Sequence, residues 1–259
     1  MATVITIANP KGGTAKTTTV VNLCAALSAT RRRILLLDLD PQCSATTSLG
    51  FARNVHEQSL AGVLIAGNSV KDCIKKCDIA NFDIAVANED LTAVPVAIYN
   101  DKDSALKLRQ ALDEIKDDYD LVIIDTPASL NLLTINALCS SDKLIIPVSA
   151  EYFSLDSMKS LLDLAQGLKE QSLCRIELLG ILRTMFDEDI RLSRLISHEL
   201  TVQFGSALFS TIIPFNHKNS ESQASGRPLI FYDKSSAASL ASLAFAGEVL
   251  QKLKSTGYQ

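Results

Sequence analysis

The stretch that most constrains this chain lies at residues 3–20 and reads TVITIANPKGGTAKTTTV. Its apolar, β-branched beginning predicts a strand, Asn9 and Pro10 predict a turn into a Gly-rich loop, and the residues from Lys16 onward predict a helix. In such a unit the N–H groups of the loop and the positive end of the helix dipole converge on one point, where they favour phosphate. Lys16 adds a full charge there, and Thr17 offers a hydroxyl to magnesium. The stretch therefore predicts a binding site for a nucleoside triphosphate.

The loop departs from the usual phosphate-binding pattern G-x-x-x-x-G-K-[ST], because Pro10 and Ala15 stand at its two glycine positions. A second lysine, Lys11, precedes the glycine pair. The resulting order K-G-G-x-x-K-T-T resembles the deviant Walker A loop of the ParA/MinD family of ATPases, although that family usually has glycine where this chain has Ala15. The competing interpretation is a strand-to-helix turn that binds no ligand.

The resemblance implies ATP and Mg²⁺ as cofactors and assigns nucleotide binding to one continuous part of the loop. That part comprises Lys11, Gly12, Gly13, Thr14, Ala15, Lys16, Thr17 and Thr18. In the family, the lysine that matches Lys11 reaches across a two-fold interface to the partner subunit's nucleotide, so that ATP bridges a homodimer. Lys11 and Lys16 are therefore the expected catalytic cations.

Two apolar runs, ILLLDLD and LVIID, end in aspartates. Because ligands of open α/β sheets bind outside the carboxyl ends of the strands, these acids are predicted to face the same crevice as the loop. The resemblance implies that Asp40 orients or activates the attacking water. It also implies that Asp38 and Asp125, with Thr17, hold Mg²⁺ partly through water. The alternative for Asp40 is a cap for the turn at Pro41.

The segment at residues 212–236, IIPFNHKNSESQASGRPLIFYDKSS, also resembles the ParA branch. Asn216 matches the residue that reads the adenine edge in that branch, and Pro214 is expected beside it in the nucleotide site. Phe215 replaces an arginine that is common in the branch and is linked there with DNA binding. The loop at residues 151–153 resembles a loop of the family's dimer interface, although an ordinary surface loop explains it equally well.

DNA binding is implied for residues 184–200, TMFDEDIRLSRLISHEL, because this segment of the ParA branch carries arginines that hold DNA without regard to sequence. Arg191 and Arg194 keep that pattern, and Lys218 and Arg227 are further candidates. Asp189 stands where the branch usually has a basic residue. The alternative is a solvated helix face that carries spaced opposite charges.

The composition of the 259 residues, 47% hydrophobic and 21% charged, indicates a globular chain, and its net charge of −4 argues against a surface coated in positive charge. The fold class we expect is α/β, a mostly parallel twisted sheet with helices on both faces, in a single domain over residues 1–259 with a polar tail at 255–259.

No apolar run is long enough to span a bilayer, and the first strand begins at once, so we expect a cytoplasmic protein without a membrane anchor. The six cysteines, including the closely spaced Cys73 and Cys77, are interpreted as ordinary small apolar residues.

The hydrophobic pattern predicts helices at 17–29, 60–65, 70–74, 103–116, 155–169 and 237–254, and strands at 34–37, 82–87, 143–148 and 176–184. The last helix is expected to bury Leu240, Leu243, Leu250 and Leu253. No repeat or linker suggests a domain boundary between these elements.

Taken over nearly the whole chain, the resemblance implies a short ParA-like partition ATPase that lacks an N-terminal helix-turn-helix. Such a protein forms an ATP-bound dimer, binds nonspecific DNA, and hydrolyses ATP slowly until a ParB-like DNA-binding protein stimulates it to move a plasmid or chromosome region. Two alternatives remain open: an ATPase that positions a protein cargo, and a nucleotide-gated dimerisation switch with negligible hydrolysis.

Overall fold

The structure is a computed structural model and describes residues 1–53, 58–150 and 154–255. The predicted interface loop at 151–153 and most of the predicted polar tail, residues 256–259, lie outside the described residues. The strands are β1 Thr3–Ile7, β2 Ile34–Asp38, β3 Ile74–Cys77, β4 Phe82–Ala85, β5 Leu121–Asp125, β6 Lys143–Ser149, β7 Glu177–Phe186 and β8 Leu208–Pro214. They form an eight-stranded sheet in the order β3-β4-β2-β5-β1-β6-β7-β8.

Helices cover both faces of this sheet, as predicted. They are α1 Lys16–Ser28, α2 Ser44–Ser48, α3 Leu60–Ala66, α4 Val94–Ala97, α5 Lys107–Leu112, α6 Leu132–Ser140, α7 Ser154–Glu170, α8 Arg191–Phe204, α9 Lys218–Ala224, α10 Leu229–Tyr232 and α11 Ala237–Ser255. Strand β2 shows why the central strands are apolar throughout: Ile34 and Leu36 pack with α1 and α11, whereas Leu35 and Leu37 pack on the other face with α3 and α5. A parallel strand between two helical layers has no solvent face, so every position favours an apolar side chain.

The predicted α/β class with a mostly parallel sheet is confirmed, since every strand pair of the described sheet is parallel except β3 with β4. The short helix predicted at 70–74 is present as a 3₁₀ helix at Val70–Cys73. The strand that follows it, β3, was not predicted, and its Cys77 pairs with Phe82 of β4. Four residues contain too few periods to reveal a strand from the sequence, and the hairpin partner decided it.

The helix predicted at 103–116 is regular only over α5, where turns closed by i to i+3 hydrogen bonds flank it on both sides. Strand β8 was not predicted. It lies at the edge of the sheet and buries fully only Phe209, so it lacks the continuous apolar run of the inner strands.

Two of the four leucines expected in the core of α11 are on its outer side. Leu240 is 56% exposed and Leu243 is 46% exposed, whereas Leu253 is fully buried as predicted and Leu250 is half-buried. The helix instead directs Phe245 and other residues towards β8 and α1. At about 100° per residue, Leu240 and Leu243 lie on nearly the opposite side from Phe245, so the expectation was wrong in its choice of face.

The six cysteines are free and buried, which agrees with their interpretation as small apolar residues. Among the described residues, no cluster of three or more His, Cys, Asp or Glu side chains suits a metal ion. Within the same residues, none of the helices combines the length and the apolar character needed to cross a bilayer.

Candidate functional site

The loop between β1 and α1 leaves the carboxyl end of a central strand, because β1 lies between β5 and β6. Asn9 fastens the start of the loop: its Nδ2 donates to the carbonyl of Pro147 at 2.8 Å, and its Oδ1 accepts the N–H of Lys11 at 3.0 Å. The end of the loop is fastened by Thr184 on β7, whose hydroxyl donates to the carbonyl of Thr14 at 3.0 Å. Two neighbouring strands therefore set the shape of the loop before any ligand binds.

Ala15 occupies the last loop position in a left-handed conformation, with φ 59° and ψ 32°. This is the position where Ala15 replaces glycine in the common pattern, and the backbone shows why glycine suits it. A left-handed conformation costs a residue with a Cβ about 1–2 kcal/mol. Gly13 also has a positive φ, of 76°, and a Cβ there would meet no neighbouring atom. The backbone at Gly13 and Ala15 therefore adopts a conformation that favours glycine.

Lys16, the first residue of α1, points into the loop instead of towards solvent. Its side chain is nearly buried, and its Nζ donates to the carbonyl of Lys11 at 3.2 Å. Burial lowers the pKa of Lys16, and the nearby carboxylates of Asp125 and Asp40 oppose that shift. The result is an ammonium group enclosed by backbone, placed where the phosphates of a nucleotide would enter.

Asp125 ends β5 as a fully buried carboxylate. Its Oδ2 accepts the hydroxyl of Thr17 at 2.7 Å, and its Oδ1 is buried with no hydrogen-bond partner. Burial raises the pKa of Asp125 well above its usual range, and the neighbouring Asp38 raises it further. A buried oxygen without a partner is costly, and it fits a divalent cation that binds oxygen ligands. These residues therefore fit Mg²⁺.

Asp38 ends β2 beside Asp125, with which it pairs in register. One of its oxygens accepts the N–H of Asp40 at 3.1 Å, and the other accepts both the N–H and the hydroxyl of Thr46 at 2.8 Å. Burial raises the pKa of Asp38 to about 6, partly offset by these hydrogen bonds from Thr46. Asp38 therefore shapes the segment that carries Asp40.

Asp40 is half-buried, and its carboxylate lies near enough to Lys16 to raise the pKa of the Lys16 ammonium against the effect of burial. Its carboxylate accepts the N–H of Gln42 at 2.9 Å, and its carbonyl accepts the N–H of Cys43 at 2.8 Å. The turn that the sequence offered as an alternative role is thus present. It uses one carboxylate oxygen of Asp40.

The second nucleotide loop follows β8 and contacts the phosphate loop from the side of α1. Pro214 and Ala15 line the same small cavity, of about 20 Å³. Gln223 on α9 donates to the hydroxyl of Thr18 at 3.2 Å, and Asn216 accepts the N–H of Lys218 at 2.8 Å. The structure thus brings the two segments, about 200 residues apart in the chain, to one site.

Comparisons with known proteins identify the family of this chain. The family model for the AAA domain matches residues 2–178. The chain is 36% identical to the sporulation initiation inhibitor protein Soj of Bacillus subtilis over 249 residues, which are 96% of this chain and 98% of Soj. It is 35% identical to the chromosome partitioning protein ParA of Caulobacter vibrioides over 251 residues, which are 96% of this chain and 94% of that protein. The chain belongs to the ParA/MinD family of ATPases.

A solved structure supports the cofactors of this ParA/MinD ATPase. Cobyrinic acid a,c-diamide synthase from Mycobacterium smegmatis with bound ADP and magnesium has a TM-score of 0.86 and 29% identity, and the match covers 100% of this chain and 98% of that one. A second structure of the same protein holds an ATP analogue and magnesium. ATP and Mg²⁺ are therefore the cofactors of this family member, and the partnerless oxygen of Asp125 fits such a metal ion.

The residues expected to bind DNA in this ParA/MinD ATPase form a weak cationic surface. Lys218 pairs with Asp233 at 3.2 Å, and the guanidinium of Arg194 donates to the carbonyl of Glu188. Exposed leucines lie between the arginines of α8, with Leu192 40% and Leu195 55% exposed. Arg227 lies elsewhere, at the end of α9 beside α1.

Several residues that shape the site were not identified from the sequence. Asn9, Thr46 and Thr184 act through hydrogen bonds to strands or loops that are distant in the chain. Asn219 is a further case, since its Oδ1 is buried without a partner beside the second loop. The sequence shows only that each of these residues is an asparagine or a threonine, which can donate and accept hydrogen bonds. It does not reveal the partner.

Proposed function

We propose that this chain is a partition ATPase in which two copies enclose ATP, hydrolyse it slowly, and use the cycle to position a plasmid or chromosome region. A ParB-like DNA-binding protein stimulates hydrolysis, and the ATP-bound dimer contacts nonspecific DNA. The name of the chromosome partitioning protein ParA, which matches over almost the whole chain, supports partition as the process. The observation that carries the proposal is the convergence of Lys16, Thr17 and the partnerless Oδ1 of Asp125 at one loop.

The chain's own groups divide the work of binding between phosphate and metal. The loop N–H groups and the ammonium of Lys16 bind the β and γ phosphates. Thr17 and Asp125, with Asp38 through water, would hold Mg²⁺, which neutralises charge on the phosphate oxygens when it is bound. Pro214 and Asn216 contact the adenine. The pairing of Thr17 with Asp125 at 2.7 Å keeps both metal ligands together before the ion arrives.

Asp40 orients the attacking water, which adds to the γ phosphorus as the bond to the β-phosphate oxygen breaks, to yield ADP and inorganic phosphate. Asp38 supports this role as a positioning residue, because it accepts the N–H of Asp40 at 3.1 Å. One carboxylate oxygen of Asp40 accepts the N–H of Gln42, which leaves the other oxygen for the water, and we expect slow hydrolysis by the chain alone. Stimulation by a partner protein then regulates the rate.

Lys11 supplies the charge that a single copy lacks. Its carbonyl accepts hydrogen bonds from Lys16 and Thr14, which fixes its backbone within its own loop. Its side chain stabilises the developing phosphate charge in the partner subunit's site. The site is therefore complete only in the dimer, which couples nucleotide binding to dimerisation.

Light scattering with a non-hydrolysable ATP analogue and Mg²⁺ tests this proposal. We expect a dimer for the wild type and for Asp40→Ala, and a monomer that still binds nucleotide for Lys11→Ala. Lys102→Ala, at an exposed lysine remote from the loop, is the matched control and should dimerise. A wild type that stays monomeric at saturating analogue, or a Lys11→Ala variant with normal hydrolysis, would refute the sandwich dimer.

A nucleotide-gated switch with negligible hydrolysis is a second candidate, because Ala15 adopts a conformation that glycine prefers and places a methyl group where phosphate approaches. Phosphate release by the wild type, Asp40→Ala and Ala15→Gly decides between the two. Equal, near-zero release by wild type and Asp40→Ala, with and without a partner, would favour the switch. A wild-type rate above that of Asp40→Ala supports the ATPase.

A further inference from the structure

The turn that begins at Asp40 contains two inner peptide units, and both are hydrogen-bonded at each end. The carbonyl of the first unit, between Pro41 and Gln42, accepts the thiol of Cys43 at 3.4 Å. The N–H of the same unit donates to the carboxylate of Asp40 at 2.9 Å. A peptide unit is planar, so bonds to its carbonyl and to its N–H together fix its orientation. The side chain of Asp40 is therefore held by a unit that does not turn freely.

The second unit, between Gln42 and Cys43, is held by Asp40 and by one residue outside the turn. Its N–H donates to the carbonyl of Asp40 at 2.8 Å, and its carbonyl accepts a hydrogen bond from the guanidinium of Arg53. A hydrogen bond from a charged donor is stronger than one between neutral groups. Arg53 also lies 3.9 Å from Glu89, but both side chains are largely exposed, so this ion pair adds little. Arg53 therefore acts on the turn through the carbonyl of Gln42.

The backbone of Cys43 shows why the second unit has to be held. Its φ is 55° and its ψ is 34°, a left-handed conformation that is unfavourable for a residue with a Cβ. Rotation of the unit between Gln42 and Cys43 by about half a turn would return φ of Cys43 to negative values and relieve this strain. The same rotation would break the bonds to Arg53 and to the carbonyl of Asp40. Strain of this kind persists only where surrounding contacts maintain it.

We propose that Arg53 is a positioning residue for ATP hydrolysis, because it holds the strained turn and so directs the carboxylate of Asp40 to the attacking water. This inference rests on the proposed function, in which Asp40 orients that water. Arg53 acts through the backbone, since rotation of the second unit would move Gln42, whose N–H bonds to the carboxylate of Asp40. A displacement of about 1 Å in a group that orients a reactant lowers a rate by as much as about a hundredfold.

Cys43 also provides a reporter of the turn that does not depend on catalysis. Its side chain is fully buried, and burial raises the pKa of its thiol to about 11. Thiol reagents attack an exposed thiolate, so Cys43 reacts when the turn opens. The other five cysteines are buried as well and serve as internal references. The rate at which a reagent labels Cys43 therefore measures how firmly the turn is held.

The first test is labelling of the full chain with a maleimide in the absence of nucleotide, followed by mass spectrometry that identifies each labelled cysteine. The variant is Arg53→Met, which keeps the length of the side chain and removes the charged donor. The matched control is Arg175→Met, at an exposed arginine before β7. We expect Cys43 of Arg53→Met to be labelled about threefold to tenfold faster than in the wild type, and the other cysteines at unchanged rates. The control should match the wild type throughout.

The second test is phosphate release under single-turnover conditions with Mg²⁺. We expect Arg53→Met to lower the rate about threefold to tenfold, while the dissociation constant of a fluorescent ATP analogue stays within about twofold of the wild type. In an Asp40→Ala background, Arg53→Met should have no further effect on the rate, because a positioning residue acts through the residue that it holds.

The inference is overturned if Arg53→Met leaves the labelling of Cys43 unchanged, or if Cys43 is labelled faster and the rate of hydrolysis is unaltered. An equal loss of rate in the Asp40→Ala background also overturns it, as does faster labelling of all six cysteines, which would show general destabilisation. Equal phosphate release by the wild type and Asp40→Ala is instead a failure of the proposed function. The labelling of Cys43 needs no hydrolysis, so it separates that failure from a failure of the contact.

Discussion

Ala15 illustrates, at the residue scale, how one side chain adds strain to a functional loop. Its φ of 59° lies in the region that glycine adopts freely, and the N–H of Thr19 bonds back to its carbonyl at 2.9 Å as α1 begins. The fastening of the loop by Asn9 and Thr184 holds Ala15 in this conformation. The strain is therefore maintained by contacts elsewhere in the fold.

Replacing Ala15 by glycine should stabilise the nucleotide-free protein by up to about 1.5 kcal/mol. The relief of left-handed strain, about 1–2 kcal/mol, exceeds the extra entropy of the unfolded glycine chain, about 0.4–1 kcal/mol. Urea unfolding measures the change. Ala244→Gly, at an exposed position within α11, is the control and should lose about 0.5–1 kcal/mol. A loss of stability in Ala15→Gly equal to that control would contradict the assignment of strain.

The buried carboxylate of Asp125 lowers the stability of the metal-free protein at a position that suits a metal ion. Its Oδ1 is buried and without a partner, and its pKa is raised mainly by burial. The unfolded state releases this proton near pH 4, whereas the folded state retains it to higher pH, so unfolding releases a proton in that interval. The metal-free protein therefore loses stability as the pH rises through the folded-state pKa of Asp125. Asp38, with a pKa of about 6, acts in the same direction.

In EDTA, we expect the free energy of unfolding of the wild type to be lower at about pH 8 than at about pH 5. Asp125→Asn should flatten this dependence and exceed the wild-type stability at the higher pH by about 1–3 kcal/mol, because it removes a buried charge that has one oxygen without a hydrogen-bond partner. The same variant should lose the stabilisation that Mg²⁺ and ATP give together. Denaturant titrations at each pH provide the measurement, with the exposed Asp163→Asn as control. An unchanged pH profile in Asp125→Asn would show that this carboxylate is not the titrating group.

At the scale of elements, the edge strand β8 depends on α11. The carboxylate of Glu248 accepts the N–H of Ser210 at 2.6 Å, and it accepts the N–H of Thr211 at 3.0 Å and its hydroxyl at 2.9 Å. These bonds hold the pKa of Glu248 below its usual range even though burial opposes them. An edge strand that offers unpaired N–H groups is prone to pair with other chains, and Glu248 covers two of them.

Replacing Glu248 by alanine should destabilise the protein by about 1.5–3 kcal/mol, since charge-assisted hydrogen bonds to backbone are lost and the N–H groups become unpaired. Because the folded pKa is depressed, this contribution is present above about pH 4.5 and is lost as the pH falls through the folded value. Thermal unfolding at neutral pH measures the effect, and increased aggregation on heating should accompany it. Glu199→Ala, at an exposed acid on α8, should change stability by less than about 0.5 kcal/mol. Equal effects of the two variants would show that the carboxylate does not stabilise β8.

At the scale of the whole molecule, the sheet separates two ends with different chemistry. The carboxyl ends of the central strands gather the phosphate loop and the three aspartates Asp38, Asp40 and Asp125, whereas Arg31, Arg32 and Arg33 lie at the amino ends. The rigid central strands between them are buried on both faces. Strands packed in this way resist deformation, so we expect a change of nucleotide to act through the proposed dimerisation and not through bending of the sheet.

ATP with Mg²⁺ at about 100 times its dissociation constant should raise the free energy of unfolding by about 2.7 kcal/mol, because the ligand binds only the folded chain. For a chain of this length that corresponds to a rise in the unfolding midpoint of about 5–10 °C. Differential scanning fluorimetry measures the shift, which EDTA should largely remove and Lys16→Ala should abolish. If ATP also joins two copies, the midpoint rises with protein concentration when ATP is present and not when it is absent. A midpoint in ATP that does not depend on protein concentration would argue against the dimer.

The sequence by itself determined the features that arise from local order along the chain. The strand, loop and helix at residues 3–20, and the aspartates at the ends of the apolar runs, follow from backbone preferences and from the continuous burial of parallel strands. The α/β class followed from the same patterns. Tertiary structure decided the features that depend on which distant residues meet. The antiparallel strand β3, the exposed leucines of α11, the pairing of Lys218 with Asp233 and the unpaired oxygen of Asp125 are all of this kind. A residue's type sets what it can bond, but only long-range packing sets which partner it finds and which oxygen remains without one.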